Sequence, residues 1–153
     1  MAFPTVEVVE SYSTAHDDYD AVILVGDYAQ RLPDEFADFV ERAQQSDQRV
    51  GKQPLLLTAD VFGGRLITAP TGPLTRDYDD VRSVADAAGV GARIAQQAGA
   101  KMPLLVVFGT GDDARYGQAE AIAYWGACQA LYEPLEAREA LGEEVLETIT
   151  SIG

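Results

Sequence analysis

The stretch GGRLITAPTGPLTRDYDDVRSVADAAGVGARIAQQAG, residues 63–99, decides the reading of the fold. Arg65 to Ala69 is a short apolar run that reads as a strand. A turn rich in Pro and Gly follows, built on Pro70, Gly72 and Pro73. Asp79 to Gln97 then reads as a helix, with Val81, Val84, Ala85, Ala88, Ala92 and Ala95 on one face. Asp77, Asp79 and Asp80 lie before or in its first turn, where the exposed N–H groups and the helix dipole favour carboxylates. Clustered carboxylates could also be metal ligands, but a hard-metal site needs more of them converging from elsewhere. Asp60 and Asp112 are the nearest candidates in type, and nothing in the pattern brings them together. The local reading is therefore a turn and helix cap at Pro70, Gly72, Pro73, Asp77, Asp79 and Asp80. Gly89 and Gly91 cost helix propensity and point to close approach of another backbone.

Working outward, the N-terminal side reads as strand, strand, helix, strand. Val6 to Val9 is a short β-rich run. Ala21 to Val25 is apolar without alternation, as in a strand buried on both faces. Pro33, Asp34 and Glu35 mark a helix start, and Phe36, Phe39, Val40 and Ala43 share one face. Gly51 is a plausible stop. Residues 54–60 form a third strand, and Gly63-Gly64 a tight turn that makes a hairpin with Arg65 to Ala69. On the C-terminal side, Leu104 to Phe108 is a fifth strand. A third helix runs from about Arg115 to Tyr132, with Thr110 or Asp112 as cap. From Ala119 to Tyr132 only Glu120 and Gln129 are clearly polar. A helix apolar nearly all round is covered on more than one side. That makes Tyr124, Trp125 and Tyr132 interface candidates, the cover being the C-terminal segment, a second domain or a partner subunit. Pro134 ends this helix. Residues 136–153 read as a charged linker followed by an extended segment, outside a domain at 1–135, and the stop at Gly153 reads as a domain boundary. Helices between buried strands predict a three-layer α/β/α domain with a mixed, mostly parallel sheet.

Composition narrows the function classes. The chain has 153 residues and a net charge of −14, with Lys52 and Lys101 its only lysines. Nucleic acid and anionic membranes both need a basic footprint that is missing here. No run approaches the roughly 18 apolar residues of a membrane span, and the start lacks a signal-peptide pattern. One cysteine, Cys128, fits a reducing, cytoplasmic setting and reads as a small buried hydrophobe. His16, the lone histidine, reads as a solvated loop residue. The loop Gly109 to Gly117 has small residues after a buried strand, as phosphate cradles do. It matches no dinucleotide or P-loop spacing, and Asp112 and Asp113 would repel phosphate. From the residues alone, no active site is recognisable.

The segment GGRLITAPTGPLTRDYDDVRSVADAAGVGARIAQQAGAKMPLLVVFG, residues 63–109, resembles the N-terminal domain of the leucyl (cytosol) aminopeptidase family, in its probable-aminopeptidase branch. The likeness is closest from Gly63 to Phe108. It continues more loosely through AIAYWGACQALYEPLEARE. The resemblance implies a macro-domain-like α/β fold without catalytic residues. It implies a separate catalytic domain holding two divalent metals (zinc, manganese or magnesium) that removes N-terminal residues from peptides, and assembly into hexamers. The family's metal-ligand motif, of the type N-T-D-A-E-G-R-L with an upstream lysine and aspartate, does not occur in this sequence. No catalytic, metal or cofactor residue is therefore assigned here. The expected function is assembly and shaping of access to an active site elsewhere. The alternatives are a macro-domain-like module binding ADP-ribose or a related nucleotide, and a stand-alone interaction module pairing through the third helix.

Overall fold

The computed structural model describes residues 4–10, 18–142 and 148–153. The strands are β1 (Thr5–Val6), β2 (Ala21–Gly26), β3 (Leu55–Thr58), β4 (Arg65–Pro70), β5 (Pro103–Phe108) and β6 (Ser151–Ile152). The helices are α1 (Asp34–Ser46), α2 (Arg82–Gln97), α3 (Ala119–Leu131) and α4 (Leu135–Leu141). β2, β4 and β5 run parallel in the order β3-β4-β2-β5, and β3 pairs antiparallel with β4 at the edge. β1 and β6 form a parallel pair. That pair is stitched to β5, because Gly153 N–H donates to Pro103 C=O at 3.1 Å and Leu105 N–H to Gly153 C=O at 2.8 Å. The working order across the molecule is β3-β4-β2-β5-β6-β1, mixed and mostly parallel.

Why these runs become central strands is visible in burial. Every residue of β2 is buried, because the sheet is covered on both faces and no alternation is needed. Val22, Leu24, Leu66, Leu104, Val106 and Phe108 face α1, where Phe36, Val40 and Phe62 complete the core. Ala21, Ile23, Val25, Ile67 and Ala69 face α2 and α3. The three-layer α/β/α expectation is thus met.

The glycines of the second layer set its spacing. A Cβ on Gly126 would lie 2.2 Å from the Ala85 carbonyl oxygen, and one on Gly89 3.1 Å from both Ala130 Cβ and the Gly126 carbonyl oxygen. α2 and α3 therefore touch backbone to backbone. Gly91 differs: its Cβ would strike Ile23 Cγ2 at 2.5 Å, so it lets α2 settle onto the sheet.

Several boundaries differ from the sequence reading. The first strand is Thr5–Val6, because β6 is too short to pair with residues beyond Val6. α1 stops at Ser46, and Gly51 sits in the next turn at φ +83°. α2 begins at Arg82, three residues later than expected, because Asp79 bonds back to Arg76 in the turn ahead of it. The third helix is split into a 3₁₀ turn, Ala114–Tyr116, and α3. The expected linker over 136–153 contains α4 and β6, and Arg138 of α4 is buried. The charge of this stretch did not keep it exposed, because a long arginine can bury its stem against apolar surface. Residues 143–147, within the expected extended segment, and His16 lie outside the described residues.

Candidate functional site

The aspartate turn is local electrostatics made rigid. β4 ends at Pro70, and Thr71 N–H donates to the Gly26 carbonyl at 2.9 Å. Gly72 takes φ +76°, a left-handed value that suits glycine. Asp79 is buried and accepts the Arg76 N–H at 2.8 Å, and the Arg76 guanidinium grips it at 2.7–3.1 Å. Asp80 accepts the Arg82 N–H at 2.8 Å and the Arg82 guanidinium at 2.6–3.1 Å. Asp77 is exposed. α2 itself carries no acidic residue in its first turn and no side-chain cap. Asp79 therefore organises the approach to the helix, while Asp80 accepts the N–H of Arg82, the first residue of α2.

The glycine loop makes the same device. Asp113 accepts the Arg115 N–H at 2.9 Å and three further bonds from the Arg115 guanidinium at 2.7–3.2 Å. Asp113, not Thr110 or Asp112, starts the 3₁₀ turn. Asp47 and Arg49 repeat the pattern after α1. An Asp-x-Arg unit thus occurs three times, at 47–49, 80–82 and 113–115. A short carboxylate folds back on the second N–H along, and the arginine that carries this N–H clamps it bidentately.

Arg115 does one thing more. Its other guanidinium nitrogen donates to the carbonyls of Arg76 and Asp79, both at 2.8 Å. The structure therefore brings together the aspartate turn and the glycine loop, at the carboxyl ends of β4 and β5. Sequence reasoning kept them apart. Hydrogen bonds from their arginines hold Asp79, Asp80 and Asp113 below the usual carboxylate range, and pull Asp47 down to about 2. These carboxylates are already saturated by arginine. Among the described residues, no three His, Cys, Asp or Glu side chains group as a metal would require. Asp60 lies beside Phe39 and Arg42, away from this cluster.

The third region is the outer side of α3. Its inner side, Ala119, Ala123, Gly126, Ala127 and Cys128, is buried. Trp125 is 72% exposed and Tyr132 is also exposed. Tyr124 is half-buried, and its hydroxyl donates to the Pro4 carbonyl at 2.8 Å. Burial pushes this phenol up to about 12 and raises the Cys128 thiol, which leaves that sulfur a poor nucleophile. Beside Trp125 lies a cavity of about 430 Å³, lined by β5, the β1 segment, the end of β6 and α3. Of the residues singled out in the sequence, Tyr124 and Trp125 border this cavity. Its existence left no local sequence signal, because it lies between strands far apart in the chain.

The geometry defines a macro-domain-like α/β domain whose aspartates at 79, 80 and 113 are paired with arginines, and in which the exposed Val6, Val8 and Trp125 border one cavity. The comparisons agree with that class. No family model matches the chain. A Caenorhabditis elegans protein, "Putative aminopeptidase W07G4.4", is 34% identical over 155 residues, covering 95% of this chain and 29% of its own length. A mutant of tomato leucine aminopeptidase superposes on 87% of this chain and 29% of its own, with TM-score 0.62 and 10% identity. The macrodomain of Mycobacterium tuberculosis DarG covers 97% of this chain and 96% of its own, with TM-score 0.52 and 12% identity. The two solved structures carry the fold. The nematode relative carries the kinship: this chain is similar, over nearly all its length, to part of an aminopeptidase-like protein. It spans 29% of that relative.

Proposed function

We propose that this chain is the non-catalytic domain of an aminopeptidase-like protein, serving assembly and access to an active site carried elsewhere in the polypeptide. The observation behind it is the 34% identity that runs through 95% of this chain and only 29% of the relative. The saturated carboxylates and the raised Cys128 thiol agree with a structural role. In this reading the catalytic domain binds the two divalent metals (zinc, manganese or magnesium), the whole protein is a cytoplasmic metallopeptidase, and copies assemble as hexamers. The test is hydrolysis of an aminoacyl anilide with added manganese or zinc. The full-length protein should cleave it and the purified 153-residue chain should not. Cleavage by the short chain would overturn the proposal.

A second reading, a module for ADP-ribose or a related nucleotide, is favoured by the full-length superposition on the DarG macrodomain. The chemistry of the loop counters it, since Arg115 is spent on Asp113 and two backbone carbonyls. Calorimetry with millimolar ADP-ribose decides: absence of heat removes this reading.

A further inference from the structure

We propose that the 430 Å³ cavity beside Trp125 is a strand slot, filled by an extended segment of the same polypeptide that prolongs β6 in the full-length protein. The proposal rests on the reading that this chain is part of a longer aminopeptidase-like protein.

The slot lies in line with β6. Its walls are residues 104–107 of β5 on one side and residues 6–9 on the other. Ile152 and Gly153 close one end, and Glu120, Ala121, Tyr124 and Trp125 of α3 form the roof. β6 is parallel to β1, and the Gly153 bonds to Pro103 and Leu105 are those of a parallel pair with β5. β5 runs on to Phe108, well past the level at which β6 gives out.

Strand alternation says what the walls offer. Leu105 N–H points toward β6, so the Leu105 carbonyl and the Val107 N–H point the same way. On the facing wall, Glu7 N–H donates to Ile152 C=O, so the Glu7 carbonyl and the Val9 N–H also face the slot. Among the described residues, no hydrogen bond outside the strand ladders uses any of these four groups. They sit in the alternating register that one more parallel strand requires on both its edges. Open strand edges of this kind recruit an extended segment through main-chain bonds.

Connectivity selects the occupant. A strand continuing β6 enters in register and parallel, with no loop to close. A second copy of this chain would have to supply a free parallel strand, and would bring a further net charge of −14. The relative, of which this chain spans 29%, is long enough to supply the continuation. Its inward side chains would be apolar, to match Tyr124, Trp125 and the half-buried Leu105 and Val107.

The test is amide hydrogen exchange in the full-length protein, with cross-strand NOEs. Val106 N–H, bonded toward β2, is the internal reference. If the slot is filled, Val107 exchanges within about tenfold of Val106, as two bonded amides of one strand should, and shows NOEs to residues just after Gly153. A full-length protein in which Val107 exchanges a hundredfold or more faster than Val106 overturns the slot while leaving the longer-protein reading intact. Protection of Val107 with NOEs only to another molecule overturns assignment to the same chain. A natural gene product of 16.4 kDa overturns both, and mass spectrometry separates that case from the others.

Discussion

The two faces of the sheet are packed by opposite strategies. The α1 face is filled by large side chains: Phe36, Phe62, Leu24 and Leu66 are fully buried, and Phe36 and Phe62 sit at a ring separation of 5.7 Å. The opposite face is filled by small ones: Ala87, Ala88, Ala92, Ala95, Ala123, Ala127, Gly91 and Gly126 are buried there. One face has a single helix standing off the sheet on bulky groups. The other must seat two helices against the sheet and against each other, so their contact surfaces are stripped to the backbone. Volume removal should hurt the first face, and volume addition the second.

The largest effect expected is from Phe36→Ala, which opens a cavity under α1 and should cost about 3–5 kcal/mol. Urea unfolding measures it. A loss below 1 kcal/mol would erase the contrast between the faces. Next comes Gly126→Ala. The added methyl meets the Ala85 carbonyl oxygen at 2.2 Å, so overpacking of roughly 1–3 kcal/mol should outweigh the gain of about 1 kcal/mol in helix propensity. A net stabilisation would show that α2 and α3 can part freely.

A smaller effect concerns the polar seam joining the two loops. Asp79 has its pKa depressed by the Arg76 hydrogen bonds. Its contribution is therefore present above the unfolded carboxylate value of about 3.9 and lost as pH falls through the lower folded value. Asp79→Asn should lower the urea midpoint at pH 7. The gap to the parent protein should close as the pH drops below about 4. A gap that stays constant with pH would mean that the carboxylate charge is immaterial. The smallest effect belongs to the exposed edge. Trp125→Ala should change stability by less than about 0.5 kcal/mol, as surface substitutions do. In the full-length protein the same change should raise the exchange rate of the Val107 amide. An unchanged rate there would remove Trp125 from the slot's roof.

Much of this was legible in the chain. The unalternating run at 21–25 required cover on both faces, and the Phe36 to Ala43 spacing required an amphipathic helix. The residues of the Asp-x-Arg units stood in plain view, yet their arginines went unread. Propensity rules assign aspartates ahead of a helix to its cap, and a neighbouring guanidinium can take them first. The start of α2 slipped by three residues for that reason. The charged stretch after Pro134 was misread as linker because composition does not register a buried arginine stem.

The sequence by itself determined the elements whose causes are local: strand character, helix faces and the turn at Pro70 to Pro73. These depend on residues two to four positions apart, where periodicity and backbone conformation decide. Only the tertiary structure decided that Arg115 ties the Gly109 loop to the Asp79 turn across 36 residues, that Gly126 meets Ala85, and that β5, β6 and the β1 segment border one cavity. Those arrangements arise from backbone groups and volumes brought together by packing. Such contacts depend on position in space, which no spacing along the chain encodes.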